Sequence, residues 1–263
     1  MITDGLSVFT LGVLGSFAAG AFTAVGALPV FFGRDMSDLG RTMMLAAAAG
    51  IMLGATVFSL IVPGLEIVEG RTGSPVHAAL VVGAGVLLGA LTIWIVHAAV
   101  PHEHFVKGAE EGRLLIHLGR HWLFIVAITL HNFPEGMSVG VSYGGGDIGA
   151  GLAVTIGIAI QNMPEGLAVA ASLVSEGFER MRAFRIAVLT GLVEPIGGII
   201  GAAAGSFSEA LLPWGLTFAA GAMLFVISGE VIPETHRRGT EHRATFGLVL
   251  GFIAMMLLDV TLG

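Results

Sequence analysis

Leu130 to Gly140 reads LHNFPEGMSVG, and thirty residues further on Ile160 to Ala170 reads IQNMPEGLAVA. Each stretch sets an amide, a proline and a glutamate inside a run that is otherwise apolar. The flanking residues carry no basic charge for long distances, since 121–174 contains no Lys or Arg. Two near-copies of so costly a pattern, in neighbouring apolar segments, decide how the rest of the chain is read.

The composition agrees with an apolar setting. Of 263 residues 55% are hydrophobic and 12% charged, and the mean hydropathy is +0.90. Soluble domains carry roughly 25% charged residues, so 12 basic and 19 acidic side chains cannot cover a 27 kDa globule. Forty glycines among Ala, Leu, Val and Ile fit close helix packing in lipid. The absence of cysteine excludes disulfides, thiolate metal sites and thiol nucleophiles. A net charge of −7 argues against a nucleic-acid partner.

A membrane-crossing helix needs about 20 mostly apolar residues. Eight segments qualify: 6–32, 42–65, 76–98, 121–142, 148–174, 186–208, 210–233 and 244–262. The first has no Lys or Arg before it, so it reads as a span and not as a cleaved leader. Eleven of the 12 Lys and Arg residues fall in the odd-numbered loops, Arg71 being the exception. Basic loops stay in the cytoplasm, which predicts eight spans with both termini outside. No domain boundary is visible, so 1–263 reads as a single transmembrane domain. Its longest polar stretch, about 99–120, is a cytoplasmic loop with His102, His104 and His117, too short to fold alone.

The two quoted stretches lie in spans 4 and 5, which cross in opposite directions. A fainter echo joins span 2 to span 7: AGIML from Ala49 precedes Val62-Pro63, and AGAML from Ala220 precedes Ile232-Pro233. Both echoes suggest inverted repeats, the transporter plan in which a midplane site lies where the repeats meet.

The polar groups at midspan are His131, Asn132 and Glu135 in span 4, Gln161, Asn162 and Glu165 in span 5, and Glu194 in span 6. Residues three and four apart share a helix face. Pro134, Pro164 and Pro195 cannot donate to the carbonyls of Leu130, Ile160 and Gly191, which predicts three interrupted helices around one cluster. With no Lys or Arg in these spans, the carboxylates are either protonated or hold a cation. A protonated network that glues helices is the bland alternative, and the duplication with a histidine weighs against it. Imidazole with carboxylate and amide oxygens suits borderline divalent metals.

HNFPEG in span 4 followed by QNMPEG in span 5 resembles the ZIP family of divalent metal transporters, in particular its GufA-like branch. The resemblance extends over essentially the whole chain and includes IPETHR from Ile232 to Arg237. It implies an all-α, eight-helix fold and a midmembrane two-metal site. His131, Glu135, Gln161 and Glu165 would hold the first ion. Asn132, Glu135, Glu165 and Glu194 would hold the second, with Glu135 and Glu165 bridging. Close relatives can carry Asp where this chain has Asn162, and many have His in place of Gln161. A neutral Asn162 removes a charge and predicts a weaker or modulatory second site. The resemblance also implies zinc as the substrate, with cadmium, iron and manganese as others, an elevator-like movement of spans 1, 4, 5 and 6 against the rest, homodimers, and a prokaryotic cytoplasmic (inner) membrane.

Outside the cluster, Glu66 and Asp259 sit at outer span ends and are candidate entrance ligands. Glu69, Asp147 and Glu209 add acidic charge on that face, where solvated loop carboxylates are equally expected. His97, Glu230, Glu234 and His236 gather near the inner ends of spans 3 and 7 as an expected exit or regulatory metal site. Two other functions compete with transport. An intramembrane metalloenzyme needs a metal-bound water beside a general base, commonly H-E-x-x-H, and neither stretch supplies one. A metal-sensing membrane protein needs an output module, and none is visible.

Overall fold

The computed structural model describes residues 6–32, 38–99, 102–104, 108–110, 120–144, 146–175, 177–207, 210–236 and 241–262. In chain order its helices are α1 (Val8–Ala27), α2 (Asp38–Gly54), α3 (Val62–Thr72), α4 (Pro75–Ala99), α5 (Arg120–Ser142), α6 (Ile148–Ser175), α7 (Arg180–Gly191), α8 (Glu194–Phe207), α9 (Leu212–Val226), α10 (Ile232–Thr235) and α11 (Glu241–Leu262). A π-helical turn, Ala55–Ile61, joins α2 to α3, and another, Ile227–Val231, joins α9 to α10. The eight expected spans are therefore α1, α2–α3, α4, α5, α6, α7–α8, α9–α10 and α11. Among the described residues seven stretches are long and apolar enough to cross a membrane. The eighth, α5, falls short because it carries His131, Asn132 and Glu135.

Local chemistry explains several boundaries. Ser7 accepts a hydrogen bond from the Thr10 amide at 3.1 Å and caps α1. Asp147 does the same for α6, accepting from the Ala150 amide at 3.0 Å. α3 ends where Gly73 takes a left-handed conformation with φ 66°. Both π turns immediately precede a proline, Pro63 or Pro233. In each the residue before that proline donates five residues back, Val62 to the Val57 carbonyl and Ile232 to that of Ile227. The faint echo between spans 2 and 7 is thus matched by the same backbone irregularity at the same place.

Two expectations are corrected. Pro134 and Pro164 do not interrupt their helices, for α5 and α6 continue through them. Only the third, span 6, breaks: Leu192 and Val193 form a turn, and α8 starts at Glu194. Within the polar stretch 99–120 lies a two-stranded antiparallel ribbon, β1 (His102–His104) with β2 (Gly108–Glu110), in which His102 pairs with Glu110. His117 and Glu209 lie outside the described residues.

The broadest packing joins α5 to α8, α1 to α6 and α8, α2 to α11, and α4 to α9. Glycine permits these approaches. A side chain at Gly136 would meet the Glu194 backbone, and one at Gly89 would meet that of Phe218. Around this core, α4 and α11 expose large apolar side chains such as Leu80 (69%), Phe246 (69%) and Val260 (74%). In water so much apolar surface would aggregate; in a bilayer it is the lipid contact.

Candidate metal centre

α5, α6 and the start of α8 place the expected residues together. His131, Asn132, Glu135, Gln161, Asn162 and Glu194 are all at most 3% exposed, and Glu165 is half-buried. The amides connect the carboxylates. Gln161 Nε2 donates to Glu135 Oε2 and to Asn162 Oδ1, both at 2.6 Å. Asn162 Nδ2 donates to Glu194 Oε1 at 2.7 Å and to the Ala19 carbonyl at 2.8 Å, tying α6 to α8 and α1. Glu194 also sits in the first turn of α8, where the helix dipole favours negative charge.

The cluster differs from the other buried polar groups. Thr56, Ser138, Thr190 and Thr217 each donate to a carbonyl of their own helix and need nothing else. Glu135 Oε1, Glu165 Oε1, Glu194 Oε2 and both amide atoms of Asn132 are buried without a hydrogen-bond partner among the described residues. Leaving such atoms unmatched costs about 1–3 kcal/mol each, more when charged. Three carboxylates thus keep unmatched oxygens at midspan, with His131 beside them and no Lys or Arg, a donor set that could hold a cation.

His131, Glu135, Gln161 and Glu165 line one cavity, closed on the other side by Leu45, Ala48 and Met52 of α2. Ile128 and Ala168 also line it, so it runs from the cluster towards the ends of α5 and α6 that carry the basic loops. On the opposite side Met137, Val139, Val154 and Ile158 are packed into the apolar core.

The expected inner-end group divides. His97 Nδ1 lies 3.2 Å from Glu230 Oε1, and Glu230 Oε2 lies 3.0 Å from His131 Nε2. His97 and Glu230 therefore belong beside the midspan cluster and not with His236. His236 is held instead by the Ile232 carbonyl, Thr235 and Thr245, at 3.0, 3.0 and 3.1 Å. The side chain of Glu234 lies outside the described residues. Glu230 lies buried within the π turn Ile227–Val231, where side-chain directions depart from the α-helical pattern. An uncompensated glutamate inside an apolar span was the available signal. At the outer ends, Asp259 accepts from Ser59 at 2.6 Å, while Glu66 is exposed on α3.

Fold and site together define a multi-pass membrane protein with a buried set of carboxylate, amide and imidazole side chains at its centre. The family profile described as ZIP zinc transporter matches residues 97–259. The zinc transporter GufA of Myxococcus xanthus is 47% identical over 256 residues, covering 96% of this chain and 99% of that protein. The zinc transporter ZIPB of Bordetella bronchiseptica is 47% identical over 251 residues, covering 95% and 81%. The zinc transporter ZupT of Chlorobaculum parvum is 32% identical over 265 residues, covering 95% of each. The chain belongs to the ZIP family of zinc transporters. It is accordingly a transporter of divalent metal ions and not an enzyme.

Proposed function

We propose that this chain, as one transporter domain, carries zinc foremost, with cadmium, iron and manganese as further substrates, inward across a prokaryotic cytoplasmic membrane. The observation that carries the site assignment is the unmatched oxygens of Glu135, Glu165 and Glu194, gathered at midspan with no Lys or Arg among them and one imidazole, His131, alongside. The first ion takes His131, Glu135, Gln161 and Glu165, which share a cavity. The second position takes Asn132, Glu135, Glu165 and Glu194, beside Asn162. That position is the weaker one, because Asn162 already gives Glu194 a donor where an ion would give it a charge.

The basic residues concentrated in the odd-numbered loops support an orientation with both termini outside. The cavity then opens to the cytoplasm. Movement is elevator-like, with α1, α5, α6 and α7–α8 sliding as one body against α2–α3, α4, α9–α10 and α11. The extensive packing of α5 on α8, of α1 on α6 and α8, and of α4 on α9 lies within these groups, and the α2–α6 and α5–α9 surfaces are the ones that would slide. Asp259 and Glu66 serve the outer entrance, and the working unit is a homodimer.

Uptake into proteoliposomes tests this reading, with zinc, cadmium, iron and manganese offered separately. Glu165→Ala removes a shared ligand and should lower zinc uptake at least tenfold in protein that remains folded. Near-normal uptake in that variant would sink the site assignment.

A further inference from the structure

We infer that His97, His131 and Glu230 form a separate metal station, which borrows His131 from the midmembrane site and ties two groups of helices together when filled. The inference rests on the transport reading for its consequence, though not for the site itself. One ligand atom from each residue lies within 4.8 Å of the others, and all three side chains are buried. Two imidazoles and one carboxylate, with a fourth position left open, are the donor set of an exchangeable zinc site. Ligand atoms around a tetrahedral zinc lie about 3.3 Å apart, so small side-chain rotations close this set on an ion. Phe225 packs edge-on against His97 at 5.4 Å and restricts its ring.

Position gives the station its consequence. His97 belongs to α4 and Glu230 to the π turn after α9, two elements of one packed group. His131 comes from α5, in the other group with α1, α6 and α8. An ion held by all three cross-links the groups. It also engages His131 Nε2, which lies 3.0 Å from Glu230 Oε2. The station lies towards the face that carries the basic loops, where transported metal emerges. Metal accumulating on that side therefore fills it, restrains α5 and slows further uptake.

Two arms of one experiment test this with the full-length chain. In the first, Glu135→Gln/Glu165→Gln disables the midmembrane site, and zinc binding is measured by equilibrium dialysis. One ion per chain is expected, bound at least tenfold more weakly once His97→Ala or, separately, Glu230→Gln is added. No bound zinc in the double variant, or equal affinity in all three, would overturn the station. In the second arm, proteoliposomes with otherwise native protein are loaded with zinc, and the initial rate of labelled zinc uptake is divided by the rate into empty vesicles. That ratio should fall several-fold for the wild type and return to near one for His97→Ala. Equal ratios would overturn the regulatory role. Absence of all uptake would instead count against transport, and the binding arm would still decide the station.

Discussion

Asn162 concentrates the residue-level argument. Its amide donates to Glu194 and to the Ala19 carbonyl, and its oxygen accepts from Gln161. Asn162→Asp removes both donated bonds and sets a second carboxylate against Glu194. Without metal the variant should melt at a lower temperature than the wild type, because like charges at hydrogen-bond distance repel. With zinc or cadmium it should gain more thermal stability than the wild type and bind a second ion more tightly. Unchanged ion stoichiometry and an unchanged metal-induced shift in Tm would show that the second position does not depend on residue 162. The seven midspan residues were legible in the sequence because a charged or amide side chain is conspicuous among apolar neighbours. That His97 and Glu230 join His131 was not, since their separation along the chain says nothing about which helix faces which.

At the scale of elements, hydropathy was enough to find the spans, and the duplicated motif was enough to pair α5 with α6. Proline misled in both directions. Pro134 and Pro164 were expected to interrupt helices that in fact continue, while Pro63 and Pro233 mark π turns that a pattern of hydrophobicity cannot show. A π turn changes which way the following residues point without changing their polarity, which is why Glu230 was first grouped with the chain's inner end. Glycine offers a sharper test, because α4 carries it in two settings. A side chain at Gly83 would meet nothing within 4 Å, whereas one at Gly89 would meet the Phe218 carbonyl. Gly89→Ala should destabilise the α4–α9 pair by about 1–3 kcal/mol, the usual cost of overpacking. Gly83→Ala should be neutral or slightly stabilising. Thermal melting in detergent separates the two, and equal effects would mean that α4 and α9 are not in close backbone contact.

For the whole molecule, orientation and occupancy are the open quantities. The chain has no cysteine, so single thiols introduced at exposed ends report sidedness directly. Ser206→Cys, at the outer end of α8, should react with a membrane-impermeant maleimide in intact cells. Arg182→Cys, near the start of α7, should react only after permeabilisation. The reverse pattern would turn the cavity outward and make the direction of transport wrong. The fold followed from a bulk property of the chain, its apolar length, whereas the site's geometry depends on individual helix rotations. The most direct test of the central claim is anomalous diffraction from crystals of the zinc- or cadmium-loaded protein. An ion is predicted between Glu135 and Glu165, within coordination distance of both carboxylates. Metal bound only at surface carboxylates, with this cluster vacant, would contradict it.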